Sequence, residues 1–257
     1  MTQPQKYLYC IIPCAEECAF PEVAPLGGGD EPVHTINHRG LAAAVSDSLA
    51  PSYETTRANM LVHQRVLESV MQEYTLLPVR FGTITDGSSP LADIKRLLER
   101  RYQEFDQLLE EMAGKVELGV KVRWRDERAA FEEILAENPR LLRLRDSLEG
   151  KPPQATHFDR LRLGQMVKEA LERKRAAEAA NLLAPLRKVA HRVVENPILV
   201  DKIVVNAAFL IDRRGEAAFD HSISQLEETQ GHRFAFKYIG PVPPYNFVNI
   251  VVNWREE

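Results

Sequence analysis

The spacing of apolar residues changes repeatedly along this sequence. In some segments every second residue is apolar, which is typical of strands, and in others apolar residues recur about every 3.6 residues, which is typical of helices. Residues 116–124 alternate valine, leucine and tryptophan with other residues, a pattern that predicts a half-buried strand. Residues 54–74 instead carry one apolar stripe at helical spacing. A chain that changes period in this way is expected to mix helices with sheet.

The same reasoning, with turn and breaker residues as boundaries, divides the rest of the chain. Further strands are predicted at residues 6–12, 76–84, 198–212, 232–240 and 247–252, and a hairpin turn at residues 37–40. Further helices are predicted at residues 126–136, 140–148 and 216–228, from Ser88 or Ser89 to about residue 112, and from residue 156 to about residue 194 with a kink or break at Pro185.

The order of these elements predicts an α+β protein with two ferredoxin-like α/β-sandwich domains, each with one helical layer on a mostly antiparallel sheet. The N-terminal domain is predicted at residues 1–113 and the C-terminal domain at residues 114–257. The second domain is predicted to carry an extended helical insertion at residues 126–194 and a proline-rich tail at residues 240–257.

Charge argues against two classes of partner. The 257 residues carry a net charge of −4, and the pI is near 6.0, so we expect neither nucleic acid nor a lipid membrane as a partner. No apolar run approaches the roughly 20 residues that span a bilayer. The N-terminus has no small-residue cleavage site and does not resemble a signal peptide. A cytoplasmic location is therefore expected.

The cysteine pattern does not predict a metal site. The three cysteines, Cys10, Cys14 and Cys18, are spaced C-x3-C-x3-C, whereas iron–sulfur and zinc sites use other spacings. An odd number of close cysteines is also a poor disulfide framework. His63, beside the apolar stripe of a predicted helix, is interpreted as a packing residue. We therefore expect no metal, no cofactor and reduced thiols.

Motifs of catalysis are missing from the sequence. It contains no phosphate-binding P-loop, no dinucleotide-binding glycine motif and no G-x-S-x-G nucleophile elbow. The glycine run at residues 27–29 follows no clear strand and precedes Pro32, so it lacks the context of a phosphate loop. No catalytic residue is assigned, and we do not expect an enzyme.

Four motifs in order, LPVRFGT, VELGVKV, NAAFLID and GPVPPYNF, together with YLYCII and HQRVLE, extend over nearly the whole chain. Together they resemble the gas vesicle protein F/L family (GvpL/GvpF), accessory proteins of a gas-filled buoyancy organelle. Two positions depart from the family pattern, which often has tryptophan where this chain has Leu118 and Val242. The assignment to F or L stays open, with F preferred.

The resemblance implies a minor, non-enzymatic component of the gas vesicle within the cytoplasm. Such proteins bind the small, very hydrophobic main shell protein (GvpA-type), and some act with other accessory gas vesicle proteins. The implied role is to assist nucleation or assembly of the shell, with some members on the gas-facing side of the wall.

The proline-rich tail supplies most of the candidate contact residues. Proline fixes φ, so Pro241, Pro243 and Pro244 predict a stiff, polyproline-like segment that delivers Tyr245 and Phe247 at a set angle. Two interpretations remain open: a rigid corner that returns the last strand to a sheet, and an edge that docks a partner.

Arg80 and Phe81 complete the candidate set. Because Arg80 lies between Val79 and Phe81, it is interpreted either as an internal ion-pair anchor or as a partner contact. Both interpretations stay open at the level of sequence.

Two other functions are alternatives to shell assembly. A two-domain regulatory module that binds a small ligand predicts a concave pocket between the domains with converging polar groups. An enzyme of unrecognised type predicts titratable groups with shifted pKa values in a cleft.

Overall fold

The computed structural model describes residues 4–87 and 89–254, and the chain forms two compact units. Unit 1 combines the chain up to Glu117 with the segment from Gly240 onward, and unit 2 is Leu118–Ile239. The sequence predicts a boundary between residues 113 and 114, and the N-terminal part of unit 1 ends at Glu117. The tail differs from the prediction, because it belongs to unit 1 and not to the C-terminal domain. Ser88, one of two predicted helix starts, lies outside the described residues.

Unit 1 is built on a five-stranded sheet with the strand order β2-β3-β4-β1-β5, in which each of the four strand pairs is antiparallel. Its elements are β1 (Gln5–Pro13), β2 (Ala19–Phe20), β3 (Val33–His38), β4 (Leu41–Ser48), α1 (Arg57–Glu73), β5 (Leu77–Pro78), α2 (Pro90–Arg100) and α3 (Tyr102–Met112).

The predicted hairpin turn is present between β3 and β4. Its two central residues, Arg39 and Gly40, have φ values of 50° and 86°. Positive φ at both central positions suits the right-handed twist of the flanking strands, and glycine adopts it without a Cβ clash. The turn therefore fixes the register that pairs Ile36 with Ala43.

Helices contact β1 from both sides. Tyr7 and Tyr9 share a buried cluster with Val66 of α1, and the residues that point the other way, Leu8 and Ile11, are also fully buried. Helices α2 and α3 both contact β1 as well. The sheet thus has a second helical layer that the sequence did not indicate.

Unit 2 is built on a four-stranded sheet with the order β7-β8-β6-β9, in which β7 and β8 are antiparallel. The chain leaves unit 1 within β6 and returns to it within β9. The elements are β6 (Lys115–Trp124), α4 (Glu127–Glu137), α5 (Pro139–Leu148), α6 (His157–Arg187), β7 (Arg192–Glu195), β8 (Ile203–Asp212), α7 (Glu216–Gln230) and β9 (Phe234–Val242).

Where the helical insertion was predicted, at residues 126–194, the structure has the three helices α4, α5 and α6 followed by β7, and the helices share a small core of their own. Ile134, Leu141 and Ala170 lie at its centre. Pro185 does not split α6, because it lies in the last turn before the helix ends at Arg187. The residues beyond this end form β7, where the sequence predicted more helix.

The α+β class is confirmed, but two predicted strands are wrong. Of residues 76–84, only Leu77–Pro78 form a strand, and this strand lies at a sheet edge, as expected next to a proline that cannot donate to a ladder. Residues 247–252 form no strand, and only Ile250 makes a bridge, parallel to Val79. Their apolar side chains are nevertheless partly buried, which explains the strand-like pattern.

Candidate functional site

A cavity of about 350 Å³ in unit 1 brings together three of the segments that the sequence analysis singled out. One wall comes from α1, the second from the chain after β5, and the third from the C-terminal tail. The lining residues are Met60, His63, Gln64, Pro78, Val79, Arg80, Phe81, Tyr245, Val248, Asn249 and Ile250. None of these residues is acidic.

Backbone hydrogen bonds hold two of the three walls together. The Val79 N–H donates to the Tyr9 carbonyl at 2.9 Å, which fixes the segment after β5 on the sheet. The Arg80 N–H donates to the Ile250 carbonyl at 3.4 Å. The tail is therefore attached to the same segment that carries Arg80 and Phe81.

A buried carboxylate anchors the tail at a second point. Both carboxylate oxygens of Glu117 accept hydrogen bonds from Asn246, one from its backbone N–H at 2.8 Å and one from its side-chain amide at 2.6 Å. Glu117 is only 3% exposed. Burial raises the pKa of this carboxyl, and the two donors oppose that rise.

His63 links the floor of the cavity to the core. Its Nδ1 lies 3.0 Å from the Tyr7 hydroxyl, which accepts a hydrogen bond from the Gly82 N–H at the same distance. With its proton not used in the bond to Gly82, the Tyr7 hydroxyl can donate to Nδ1 in the tautomer that carries its hydrogen on Nε2. The ring stacks on Tyr9 and meets Phe81 edge-on, with centroids 5.6 Å apart in both pairs. Burial lowers the pKa of His63 to about 4, so its ring is neutral near pH 7.

Arg80 is the charged group of this cavity. Its side chain is exposed, and no carboxylate within residues 4–87 or 89–254 forms an ion pair with it. The interpretation as an internal ion-pair anchor is therefore wrong. With His63 neutral and no acidic group in the lining, the cavity presents one positive charge beside an apolar wall.

The tail itself folds as a corner. Pro241 belongs to β9, and Pro243 and Pro244 are buried. The Pro244 carbonyl accepts hydrogen bonds from the N–H groups of Phe247 and Val248 at 3.1 and 2.9 Å. The chain therefore turns directly after the prolines, where the sequence predicted a polyproline-like segment.

Of the seven predicted contact residues, three line the cavity and four do not. Arg80, Phe81 and Tyr245 line the cavity, and Tyr245 is 41% exposed. Phe247 is 8% exposed and packs inside unit 1. The three prolines shape the corner without lining the cavity: Pro241, Pro243 and Pro244.

Sequence reasoning missed most of the cavity lining and the carboxylate that anchors the tail. Gln64 and Asn249 line the cavity, and Glu117 anchors the tail from outside it. Gln64 lies within the quoted HQRVLE motif, which was a usable signal. Nothing in the sequence marked the other two, because each depends on a segment distant along the chain.

Among residues 4–87 and 89–254, no three His, Cys, Asp or Glu side chains are grouped so that they could hold a metal ion. Across the same residues, no helix has the length and apolar character needed to cross a bilayer.

Comparison with known proteins decides the family. The profile described as gas vesicle synthesis protein GvpL/GvpF matches residues 5–249. This chain belongs to the GvpL/GvpF family. Membership identifies it as a gas vesicle accessory protein and confirms the resemblance seen in the motifs.

Relatives from bacteria and archaea match the chain over almost its full length. Gas vesicle protein F of Dolichospermum flosaquae is 27% identical over 95% of this chain and 97% of its own. Gas vesicle protein F of Streptomyces sp. (strain CB03234) is 29% identical, with 94% and 98% covered. Gas vesicle protein L1 of Halobacterium salinarum is 28% identical, with 94% and 89% covered.

Solved structures show the same fold. The crystal structure of GvpF from Anabaena sp. PCC7120 superposes with a TM-score of 0.82 at 25% identity, covering 97% of this chain and 100% of that one. GvpF from Microcystis aeruginosa gives a TM-score of 0.77 at 25% identity, covering 95% and 99%.

The two departures from the GvpL/GvpF pattern lie in different environments. Leu118 is fully buried, so a tryptophan at this position would belong to the core. Val242 is half-buried at the end of β9. A loss of exposed aromatic contact therefore concerns Val242 at most.

Proposed function

We propose that this protein binds the hydrophobic main shell protein (GvpA-type) of the gas vesicle and assists nucleation or assembly of the shell. It would act in the cytoplasm without catalysis, beside other accessory gas vesicle proteins. A position on the gas-facing side of the wall stays a prediction. The physical need is plain, because a subunit with a large apolar face aggregates unless a partner covers that face or seeds ordered growth.

The observation that supports this proposal is the convergence of three family motifs on the Arg80 cavity. Its wall combines Phe81, Tyr245 and Val248 with the exposed cation of Arg80. Interfaces draw much of their binding energy from aromatic and arginine side chains at an apolar centre. We therefore propose the Arg80 cavity as the surface that contacts the shell protein.

Co-precipitation with the shell protein tests this proposal. The two proteins are co-expressed in a host without gas vesicles, and the bound shell protein is quantified for the wild type, Arg80→Glu and Arg65→Glu. Arg65 is the matched control, since it is an exposed arginine of α1 outside the cavity lining. We expect Arg80→Glu to weaken binding about tenfold and Arg65→Glu to leave it within twofold, roughly.

Two outcomes would count against the proposal. If the wild type fails to retain shell protein that stays soluble, shell binding itself is contradicted. If both variants bind equally well, shell binding survives and the Arg80 cavity is not the contact surface.

A second candidate function is a regulatory module that binds a small ligand. The cavity volume of about 350 Å³ favours it, since it falls at the lower end of the range for small-molecule sites. The lining lies within unit 1, however, and not between two domains as this function predicted. Native mass spectrometry of the purified protein would show a bound molecule that Phe81→Ala releases. An unliganded mass for the wild type, from cells that make gas vesicles, would contradict this candidate.

A further inference from the structure

Two of the three cysteines lie close together in the loop between β1 and β2. Cys14 and Cys18 are both half-buried and free, and their sulfur atoms lie 3.7 Å apart. The third, Cys10, is fully buried within β1. Cys14 and Cys18 are therefore a pair that solvent reaches, while Cys10 is shielded from it.

Strand β3 holds both ends of this pair. The Cys18 N–H donates to the Thr35 hydroxyl at 3.0 Å, and the Thr35 N–H donates to the Cys18 carbonyl at 2.9 Å. The Asn37 amide donates to the carbonyls of Cys14 and Glu16 at 2.9 and 2.7 Å. The sulfur atoms thus stay near each other because the backbone on either side is fixed.

The distance by which the two sulfur atoms must still approach each other is shorter than a disulfide bond. A sulfur–sulfur bond is about 2 Å long, so the two sulfur atoms must approach by less than one bond length. The Tyr74 hydroxyl, just after α1, lies 3.8 Å from the Cys14 sulfur and 3.9 Å from the Cys18 sulfur. We expect rotation about the two Cα–Cβ bonds to close the gap between the sulfur atoms, because the hydrogen bonds from the Asn37 amide and the Thr35 N–H involve carbonyl groups of the loop and not the sulfur atoms.

We propose that Cys14 and Cys18 form a reversible intramolecular disulfide when the protein meets a low-molecular-weight disulfide such as oxidised glutathione. This inference is independent of shell binding. It differs from the expectation of reduced thiols, which considered the spacing of the cysteines along the chain and not the distance between the sulfur atoms.

The reaction is a double thiol–disulfide exchange. The Cys14 thiolate attacks one sulfur of the oxidant, which breaks its S–S bond, forms a mixed disulfide and releases one thiolate. Cys18 then loses its proton and attacks the Cys14 sulfur, releasing the second thiolate. The protein loses two hydrogen atoms in total, and one oxidant molecule is reduced to two thiols.

The surroundings of the Cys18 thiol bear on the order of attack. Burial raises the pKa of Cys18, and its hydrogen bond to Thr35 only partly offsets this rise. Since the thiolate is the attacking species, a raised pKa disfavours Cys18 as the first nucleophile. Cys14 is taken as the first nucleophile, and the exchange balances equally in the opposite order.

Mass spectrometry and thiol counting on the full chain test the proposal. The folded protein is incubated with oxidised glutathione, then denatured and alkylated. We expect a monomer lighter by two hydrogen atoms, with labelled thiols falling from three to one, and dithiothreitol should restore all three. Peptide mapping should place the bond between Cys14 and Cys18 and the label on Cys10.

Variants locate the reactive pair. Cys14→Ser and Cys18→Ser should each abolish the loss of two hydrogen atoms, whereas Cys10→Ser should keep it and leave no thiol to label. Because Cys10 lies in the core and its serine variant can fail to fold, the peptide map of the wild type provides the same assignment independently.

Three results would overturn the proposal. One is a folded wild type that keeps three free thiols under conditions that oxidise the urea-unfolded chain. Another is a bond that involves Cys10. The third is a disulfide-linked dimer in place of the lighter monomer.

Discussion

At the scale of single residues, unit 1 depends on two buried polar side chains that connect distant parts of the chain. His63 joins α1 to Tyr7 of β1, and Glu117 joins the start of β6 to Asn246 of the tail. A buried polar group that loses its partner costs more than the bond contributes, because the group left behind cannot return to water. Both side chains should therefore affect stability measurably.

The first prediction concerns the pH dependence that His63 produces. Its pKa is about 4 in the folded protein, compared with 6.5 for a histidine exposed to water, so the unfolded chain binds the proton first as the pH falls. The free energy of unfolding should therefore fall between pH 6.5 and pH 4, by about 3 kcal/mol from this residue alone. Urea unfolding at several pH values measures it.

A comparison of variants isolates this contribution from that of the carboxylates. In His63→Gln, an amide oxygen can still accept from Tyr7 but does not titrate, so this variant should lose the extra decrease below pH 6.5. His221→Gln is the control, since His221 is exposed on α7, and it should follow the wild type. Parallel curves for wild type and His63→Gln would contradict the prediction.

The second prediction concerns Glu117. Glu117→Ala removes the acceptor of both Asn246 donors, which tie the tail to β6, and leaves a gap where the buried Glu117 side chain packed. We expect the free energy of unfolding to fall by about 1–2 kcal/mol. Glu110→Ala, at an exposed position on α3, should change it by less than about 0.5 kcal/mol. Urea midpoints within error of each other would contradict this prediction.

At the scale of elements, the helices of unit 2 show how charged residues fix a long helix that has few buried positions. Over its 31 residues, α6 buries only four side chains. Ion pairs supplement this packing: Lys174 of α6 lies 2.9 Å from Glu133 and 2.7 Å from Glu137 of α4. Arg233 lies 2.9 Å from Glu133 and 2.7 Å from Glu178. The network joins α4, α6 and the start of β9.

The third prediction tests this network. Lys174→Met keeps an apolar stem of similar length but removes the charge between Glu133 and Glu137. We expect a loss of about 1 kcal/mol of unfolding free energy, discounted because both carboxylates are largely solvated. The loss should shrink at about 1 M salt, where screening is strong. Urea unfolding at low and high salt measures it.

The control for this variant is Lys168→Met, an exposed position six residues earlier on α6. It should leave stability unchanged at both salt concentrations. An equal loss in the two variants would show that the network contributes nothing beyond helix propensity.

At the scale of the whole molecule, the two units differ in how the chain makes them. Unit 2 is one continuous stretch, whereas unit 1 needs its C-terminal segment to return from a sequence distance of more than a hundred residues. Phe247, Val248 and Ile250 of that segment are buried. Unit 1 is therefore complete only when the end of the chain is present, whereas unit 2 is formed by one uninterrupted segment.

The fourth prediction follows from this difference. A chain that ends at Ile239 lacks the buried tail residues and the donors that contact Glu117, so unit 1 should lose its stable fold while unit 2 keeps its own. Hydrogen exchange should become fast in β1 and β4 and stay slow in α6 and β8. A chain that ends at Val251 keeps Phe247, Val248 and Ile250 and serves as the control. Protected β1 amides in the shorter chain would contradict the prediction.

Much of the fold could be predicted because the signals are local. The alternation at residues 116–124, the helical stripe of α1 and the turn at Arg39 and Gly40 each depend on neighbours within a few residues. The predictions failed where an apolar sequence pattern resulted from packing against distant segments and not from a local strand or helix. The apolar residues 247–252 resemble a strand in sequence because three of them are buried. Their backbone, however, forms a turn and a single bridge and not a strand.

The candidate site was predictable only in part. Arg80, Phe81 and Tyr245 were singled out from their motifs, and all three line one cavity. Neither the neutral state of His63 nor the exposed, unpaired state of Arg80 within the described residues could be read from sequence, since each depends on burial by remote segments. Nor could the distance of 3.7 Å between the Cys14 and Cys18 sulfur atoms.

The sequence by itself determined the α+β class, most of the elements and, through its motifs, the GvpL/GvpF family. Only the tertiary structure decided that the tail completes unit 1 and that three motifs meet at the Arg80 cavity. The physical reason is the distance along the chain over which each effect acts. Backbone propensity and hydrophobic period act between residues close in the chain, whereas burial, charge pairing and pKa depend on which distant segments pack together.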